Sequence, residues 1–363
     1  MTITEAQVRE LLQQTVDATT GKDYVSSKEI KQINVSGDEV AVDVVLGYPA
    51  QSQVQAVREQ IEAALSSLPG VGAVKVNVTW KIVAHAVQGA MQRIPGVRNI
   101  IAVASGKGGV GKSTVAVNLA LALAAEGATV GVLDADIYGP SQPTMLGLPG
   151  QRPTSPDGKK LDPMIAHGIQ AMSIGFLVDA EQPMVWRGPM VTQALEQLLR
   201  DTRWSDLDYL VVDMPPGTGD IQLTLAQKVP VTGAVIVTTP QDIALLDARK
   251  GLKMFEKVNV PILGIVENMS THVCSNCGHE EAVFGAGGGA RMAQQQGVTL
   301  LGSLPLDIKI REQADSGRPT VVAEPNGRVA RTYKEIARKV AVKIADKAQD
   351  YSAAFPKIVI KNT

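Results

Sequence analysis

Cysteine is scarce in this chain of 363 residues, which contains only Cys274 and Cys277. Two cysteines are far too few for a disulfide-stapled secreted scaffold. An excess of charge of either sign is also missing, because 35 Lys and Arg residues stand against 36 Asp and Glu residues. A chain with balanced charge has no overall field that attracts nucleic acid or anionic lipid. We therefore expect neither nucleic acid nor a membrane as a partner.

Long apolar runs are missing as well. No stretch reaches the roughly 20 apolar residues that a membrane-spanning helix needs. The polar start, MTITEAQVRE, lacks the apolar core of a secretory signal. Both observations predict a cytoplasmic protein. The length exceeds the usual ~100 to 200 residues of one domain, so two domains with full cores are expected.

Residues 1–91 have the pattern of a small α+β domain. Thr4 and Gln7 are predicted to form a capping box at the start of a helix. Its apolar face is expected to comprise Val8, Leu11, Leu12 and Val16. Alternating and apolar-periodic patterns then predict strands at residues 30–35, 40–46 and 74–80 and a helix at 53–68. Residues 92–99, which contain Pro95 and Gly96, are predicted to be a linker.

The remainder, residues 100–363, has an α/β pattern. Short β-rich runs alternate with helices and occur at residues 100–104, 129–133, 209–212, 234–238, 262–266 and 299–303. This alternation predicts a mostly parallel sheet with helices on both faces. A last helix at residues 329–347 has an apolar stripe opposite a basic face. Because the stripe is modest and lacks Trp and Phe, we expect it to pack in the core rather than bind a membrane.

One segment carries a complete phosphate-binding motif. It consists of Gly106, Lys107, Gly108, Gly109, Val110, Gly111, Lys112, Ser113 and Thr114. The motif follows a predicted strand and opens a predicted helix, which is the context that a P-loop requires. Its glycines let backbone N–H groups turn toward phosphate oxygens, and the helix N-terminus adds positive potential. Lys112 is expected to contact the outer phosphates of ATP, and the Ser113 hydroxyl is expected to bind Mg²⁺.

A second lysine in the motif, Lys107, is not required by an ordinary P-loop. It resembles the signature lysine of the deviant Walker A ATPases, the group that contains MinD, ParA and the nitrogenase iron protein. In that group the lysine reaches across a dimer interface to the nucleotide of the partner subunit. The resemblance implies an ATP-dependent homodimer in which Lys107 and Lys112 both serve hydrolysis.

Polar residues at the ends of three predicted strands suit the same site. Asp134 and Asp136 follow one strand, and carboxylates at such a position can meet Mg²⁺ or the attacking water. By resemblance, Asp136 is assigned to water activation. Asp213 is the Walker B candidate and would hold Mg²⁺ through a water, with a switch at residues 215–218. Asn268 suits adenine recognition through its amide. Without the P-loop, each of these residues would be interpreted as a cap or turn former.

The two cysteines have C-x-x-C spacing, with His272 and His279 close by. Two thiolates are half of the four ligands that a zinc ion or an iron–sulfur cluster normally takes. A homodimer that places both pairs on its axis would supply four thiolates, enough for one [4Fe–4S] cluster or one zinc ion. A zinc site completed by the histidines within one chain and a redox dithiol remain as alternatives.

Several strings together resemble the Mrp (ApbC) family over nearly the whole chain. They are the P-loop at residues 107–114, Leu-Asp-Ala-Asp-Ile-Tyr-Gly-Pro-Ser at 133–141, Val-Asp-Met-Pro-Pro-Gly-Thr-Gly-Asp at 212–220, Glu-Asn-Met-Ser at 267–270, the cysteine pair, and Pro-Leu-Asp at 305–307. Members of that family are iron–sulfur cluster carrier ATPases. The resemblance implies a labile cluster bound between subunits by Cys274 and Cys277, a cluster donor, and apo-protein clients.

Residues 1–91 resemble the MIP18-type domain that often precedes such an ATPase. Asp17, Ala18 and Thr19 stand where these domains commonly have Asp-Pro-Glu, so client docking or regulation is expected there rather than metal binding. Two rival functions remain. A positioning ATPase like MinD or ParA would carry a structural zinc ion on its cysteines. An electron-transfer ATPase like the nitrogenase iron protein would have cysteines far apart in sequence, unlike this pair.

Overall fold

The computed structural model describes residues 3–87, 91–178, 188–274 and 276–349. The amino-terminal part contains a three-stranded sheet, with β1 at Ile30–Ser36, β2 at Glu39–Leu46 and β3 at Ala73–Trp80. Two helices accompany it, α1 at Glu5–Gln14 and α2 at Val54–Ser66. Strands β1 and β2 form an antiparallel hairpin, whereas β2 and β3 are parallel. The predicted hairpin and third strand are thereby confirmed.

Helix α1 starts as predicted and ends earlier. The Thr4 hydroxyl accepts a hydrogen bond from the backbone N–H of Gln7, and the Gln7 side chain accepts one from the backbone of Thr4. Val8 and Leu12 are buried on the inner face. The prediction for Val16 is wrong, because α1 ends at Gln14 and Val16 is 47% exposed. Apolar spacing alone did not show where the helix stops.

A buried carboxyl group directly precedes β1. Glu29 is 6% exposed, and its Oε2 accepts a hydrogen bond of 2.9 Å from the Ser27 hydroxyl. Burial raises the pKa of Glu29 to about 7, and the nearby charge of Asp17 adds to this increase, whereas the Ser27 hydrogen bond opposes it. A carboxyl whose pKa rises on folding binds its proton more tightly in the native state.

The free energy of unfolding should therefore decrease as the pH rises from about 4.5 to about 7, since the native state retains a proton that the unfolded state has already released. Replacing Glu29→Gln should remove this decrease and stabilise the protein at pH 8 by roughly 1–3 kcal/mol, with little effect at pH 4. Chemical denaturation across this pH range measures it. The exposed Glu39→Gln serves as the matched control, and parallel pH curves for wild type and Glu29→Gln would contradict the prediction.

The rest of the chain is organised around a larger sheet. Its strands and the short hairpin beside it are β4 (Val97–Ser105), β5 (Val130–Asp134), β6 (Met164–Ala166), β7 (Ile169–Ser173), β8 (Leu207–Asp213), β9 (Gly233–Thr238), β10 (Ile262–Glu267), β11 (His272–Val273), β12 (Glu280–Glu281) and β13 (Leu300–Ser303). The sheet order among the described residues is β13-β10-β9-β4-β8-β5-β7-β6. Every neighbouring pair is parallel except β6 and β7.

This topology confirms the predicted α/β class and adds two strands. The predicted strand at residues 100–104 begins earlier, at Val97, so the last three residues of the predicted linker belong to β4. The division at residues 92–99 otherwise stays a prediction. Strands β6 and β7 escaped prediction because β6 has three residues and β7 contains Ile169 as its sole β-branched residue.

Helices flank the sheet in two groups. Their bounds are α3 (Lys112–Ala125), α4 (Gln142–Met145), α5 (Gly188–Asp201), α6 (Asp220–Lys228), α7 (Asp242–Lys257), α8 (Gly288–Gln296), α9 (Ile308–Asp315), α10 (Thr320–Ala323) and α11 (Arg328–Ala345), with a 3₁₀ turn at Ile174–Phe176. Helices α4, α10 and α11 pack on α3, whereas α5, α6, α7 and α8 form a second series in which each helix packs on the next. Helices thus cover the buried strands on both sides.

The last helix belongs to the core, as predicted. Tyr333, Ile336, Ala337, Val340 and Ile344 of α11 are all buried. The residues of α11 that face outward carry its charges. In the described part of the chain, no helix combines the length and the apolar character that crossing a bilayer requires.

The amino-terminal sheet domain contacts the carboxy-terminal end of α3. Glu126, the C-cap residue of α3, is fully buried. Its carboxylate accepts hydrogen bonds from the Ser52 hydroxyl at 2.7 Å and from the Arg338 guanidinium at 2.8 Å. The indole of Trp80 packs against Gly127, where a Cβ atom would stand 2.3 Å from the ring. The helix that begins in the P-loop therefore ends on the amino-terminal domain.

Candidate functional site: a P-loop beside a cysteine hairpin

The predicted P-loop connects β4 to α3. Gly109 and Gly111 have φ angles of +79° and +80°, in the left-handed region that favours glycine. At Gly106, a Cβ atom would lie 2.0 Å from the backbone oxygen of Asp247, so the loop runs directly against α7. Helix α3 begins at Lys112, and its free N–H groups therefore point into the loop. This backbone is shaped to bind an anion.

The Lys112 ammonium is buried beside two carboxylates. Its Nζ forms a short ion pair with Oδ1 of Asp213 and lies 3.9 Å from Oδ2 of Asp136. It also donates to the Ser113 hydroxyl at 3.1 Å. The Lys112 side chain is 6% exposed and that of Asp213 is 0% exposed. The Walker A lysine and the predicted Walker B aspartate are thus one buried ion pair.

Asp134 does not face the phosphate loop freely, in contrast to the expectation that it can meet Mg²⁺ or water. Its Oδ2 accepts hydrogen bonds from the backbone of Ser141 and Gln142 and from the Ser173 hydroxyl, and its Oδ1 accepts one from the backbone of Asp136. Burial, and then the negative charge of Asp213, raise its pKa to about 7. Asp134 therefore holds the loop after β5 in shape.

Asp136 is the carboxylate of this loop that faces the cavity. The cavity has a volume of about 260 Å³ and is bounded mainly by the P-loop, with Asp136, Gly139, Ser141, Met145 and Pro216 on its other side. The Asp136 side chain is 14% exposed. Burial raises its pKa, and the Lys112 charge opposes this effect. A carboxylate with a raised pKa at the edge of a phosphate cavity is suited to accept a proton from water.

The two cysteines lie on a separate hairpin at the same edge of the sheet. Strand β10 ends at Glu267, and β11 and β12 then pair in antiparallel fashion around the turn that carries Cys274 and Cys277. The backbone N–H of Cys274 donates to the His279 carbonyl at 2.9 Å, which closes the turn. Cys277 is exposed and Cys274 is partly exposed. Both thiols are accessible to a ligand or to another protein.

The thiol of Cys274 loses its proton more readily than an ordinary cysteine thiol. Hydrogen bonds from the backbone N–H groups of Cys277 and Asn276 lower its pKa. A thiolate, rather than a thiol, is the species that binds a metal. The local backbone therefore prepares this side chain for coordination.

One chain does not assemble a complete metal site around the cysteines. Among the described residues, no group of three or more His, Cys, Asp or Glu side chains is arranged to hold a metal ion. His272 lies in β11, where its Nδ1 is 3.2 Å from the Leu306 carbonyl, and it is therefore not a turn residue beside the thiols. A zinc site completed by the histidines of one chain is thus not preformed among the described residues.

Comparisons with known proteins agree with this geometry. Residues 96–341 match the family described as NUBPL iron-transfer P-loop NTPase, and residues 5–78 match the family described as iron-sulfur cluster assembly protein. This chain belongs to the NUBPL iron-transfer P-loop NTPase family. The predicted resemblance to Mrp (ApbC) carriers with an amino-terminal MIP18-like domain is confirmed.

Individual relatives and solved structures are similar to this chain over most of their own length. An iron-sulfur cluster carrier protein of Salmonella typhimurium is 56% identical over 87% of this chain and 86% of its own length. A nucleotide-binding protein of Archaeoglobus fulgidus, solved in complex with ADP, is 38% identical with a TM-score of 0.57, covering 65% of this chain and 91% of that chain. The cell division ATPase MinD of Pyrococcus furiosus, with 22% identity, a TM-score of 0.50 and coverage of 67% and 98%, shares the fold.

The side chains of this P-loop NTPase fit a magnesium ion. Asp136 and Asp213 share the single buried ammonium of Lys112, which leaves an excess of negative charge. The Ser113 hydroxyl adds a neutral oxygen beside them. Oxygen donors with excess negative charge are the ligands that Mg²⁺ prefers.

Two predicted site residues have surroundings that bear on their roles. Lys107 is partly exposed at the mouth of the cavity, and within the described residues its ammonium has no ion-pair partner. Asn268 is 8% exposed, and its Nδ2 donates to the Val110 carbonyl at 2.9 Å. Its amide thus supports the P-loop backbone in addition to the adenine contact that stays a prediction. Sequence patterns missed Gln142, which contacts this site from α4.

Proposed function

We propose that this chain is an ATP-hydrolysing carrier of iron–sulfur clusters. It binds a labile [4Fe–4S] cluster as cargo between two subunits and transfers the cluster to apo-proteins. The observation that carries the proposal is a half-site of two accessible thiols, on a hairpin at the same sheet edge as a P-loop. The names of close relatives, which are iron-sulfur cluster carrier proteins, support the same function.

The cluster is proposed to be shared because each chain supplies two of the four thiolates that a cubane cluster requires. A two-fold axis through the hairpins would bring Cys274 and Cys277 of both subunits together. Both thiols are accessible, as a shared ligand set requires. A cluster donor, apo-protein clients and a cytoplasmic location complete the proposal.

The residues of the phosphate cavity suit slow hydrolysis of ATP. Lys112 would exchange its ion pair with Asp213 for the outer phosphates, and Ser113 and Asp213 would hold Mg²⁺. The metal neutralises negative charge on the phosphate oxygens when it is bound. Asp136 orients the attacking water and accepts its proton. Lys107 has no ion-pair partner in the described part of its own chain and, as the resemblance to deviant Walker A ATPases implies, would reach the nucleotide of the partner subunit.

ATP is proposed to act as a switch rather than as a source of energy for ligation. Thiolates bind iron without nucleotide chemistry, so hydrolysis is needed only to change the geometry of the dimer. A change in the dimer would move the two hairpins relative to each other and alter cluster loading or release. A low basal rate suits a switch that waits for its client.

Anaerobic purification or reconstitution tests this function. Iron and sulfide should each approach four per two chains, measured beside the mass of the oligomer, and mixing with an apo-protein should transfer the cluster. Zinc at one ion per dimer without iron would support the rival positioning ATPase. A stable, stoichiometric cluster on a monomer would overturn the shared site.

A further inference from the structure

Gln142 is a buried polar residue in contact with both halves of the phosphate site. It is the first residue of α4 and is fully buried. Its Nε2 donates to the Ser113 carbonyl at 3.2 Å and to Oδ2 of Asp213 at 3.0 Å. One amide group thus connects the start of α3 to the end of β8. These are the segments that carry the two residues proposed to hold Mg²⁺.

The orientation of this amide follows from its neighbours. The Ser113 carbonyl and the Asp213 carboxylate are both acceptors, so the nitrogen of the amide must face them. Its other atom, Oε1, is buried without a hydrogen-bond partner in the described structure. A buried acceptor without a partner is uncommon and costs stability. An apolar residue would avoid this cost, which indicates that the two donated hydrogen bonds matter at this position.

The two oxygens of Asp213 have different partners. Lys112 binds Oδ1, and Gln142 binds Oδ2. When Lys112 contacts phosphate, its ion pair with Asp213 is weakened, and Asp213 then needs another group to keep its carboxylate in place. Gln142 is that group, because its hydrogen bond uses the opposite oxygen and does not depend on the lysine.

We propose that Gln142 is a positioning residue that fixes Asp213 relative to Ser113 and thereby determines how strongly Mg²⁺ enhances nucleotide binding. The inference rests on the proposed function, since it concerns the same MgATP site. Residues that orient metal-binding groups typically contribute about 10- to 100-fold to metal affinity. Gln142 acts through Asp213 and touches neither nucleotide nor metal itself.

The test compares binding of a fluorescent ADP analogue, mant-ADP, with and without Mg²⁺. Replacing Gln142→Met preserves side-chain volume and removes both donated hydrogen bonds. Affinity for metal-free mant-ADP should stay within about 2-fold of wild type, because the P-loop backbone and Lys112 remain. The Mg²⁺ concentration needed for half of the enhancement should increase by about 10- to 100-fold. Circular dichroism establishes that the variant is folded.

Two further variants separate positioning from general damage. Gln170→Met also loses two hydrogen bonds, one donated to the Ser205 carbonyl at 2.9 Å and one accepted from the Ser205 backbone N–H at 3.0 Å, and should leave the Mg²⁺ response unchanged. In an Asp213→Asn background, Gln142→Met should cause no additional loss, because its effect passes through Asp213. Full additivity in this cycle would overturn the inference.

The outcomes distinguish this inference from the proposed function. If wild type binds mant-ADP more tightly with Mg²⁺ and Gln142→Met does the same at the same metal concentration, Gln142 has no positioning role and the MgATP site stands. If Mg²⁺ does not affect the wild-type protein, both the metal assignment and this inference are wrong. Equal losses in Gln142→Met and Gln170→Met would indicate a general structural effect and would also overturn the inference.

Discussion

Replacing either Cys274→Ala or Cys277→Ala is expected to eliminate the bound cluster and its transfer to an apo-protein. Each change leaves a dimer with two thiolates where a cubane needs four, so the brown chromophore and the iron and sulfide content should fall to near background. Nucleotide binding should stay within about 2-fold of wild type, because the cysteine hairpin contributes no residue to the lining of the phosphate cavity. Absorbance, iron and sulfide analysis and nucleotide titration measure these effects.

A histidine variant provides the control for the cysteine changes. His279 is exposed, so His279→Ala should retain the cluster. His272 is a poorer control because its ring contacts the Leu306 carbonyl and its backbone belongs to β11, so its loss can loosen the hairpin. Release of metal from His279→Ala, or full cluster content in either cysteine variant, would contradict the assignment of the ligands.

Replacing Lys112→Ala should reduce ATP turnover by at least about 10²- to 10³-fold, the usual effect of removing one group that stabilises charge in a transition state. The same change leaves the buried Asp213 carboxylate without its cation, which should lower the free energy of unfolding by about 3–5 kcal/mol. Phosphate release and thermal unfolding, measured on the same preparation, separate the two effects. Wild-type turnover by Lys112→Ala would show that the assigned site is wrong.

Lys107→Ala is the matched lysine control. Lys107 is partly exposed and, in the described structure, makes no ion pair, so stability and nucleotide binding by one subunit should be unchanged while turnover in the dimer falls. Asp136→Asn should also spare nucleotide binding while slowing hydrolysis, because its carboxylate is assigned to the water. Loss of binding in Asp136→Asn would instead place that carboxylate in nucleotide or metal binding.

Local signals in the sequence were enough to predict most of the site. The glycines and lysines of residues 106–114 define a P-loop because few other backbones combine those residues before a helix. Asp136 and Asp213 could be predicted because carboxyl ends of parallel strands meet at one edge. The C-x-x-C spacing predicted half of a metal site, and among the described residues no group of three or more ligand side chains assembles around it.

Other features depend on residues that are distant in sequence. Gln142 contacts Ser113, 29 residues away, and Asp213, 71 residues away, and nothing in its local pattern points to either. The role of Asp134 also changed, because its partners include Ser173, which lies in a strand that was not predicted. His272 was considered a possible zinc ligand because it is close to the cysteines in sequence. In the structure it lies in β11, where it pairs with Glu281 of β12, rather than in the turn.

The sequence by itself therefore determined the nucleotide loop, the carboxylates at the strand ends and the number of thiolates that each chain supplies. These features are encoded in short segments whose backbone and chemistry are local. Only the tertiary structure decided which carboxylate faces the cavity, which amide holds Asp213, and that the P-loop helix ends on the amino-terminal domain through Glu126. Packing brings those groups together from remote segments, and hydrogen-bond partners of this kind leave no periodic signal in the chain.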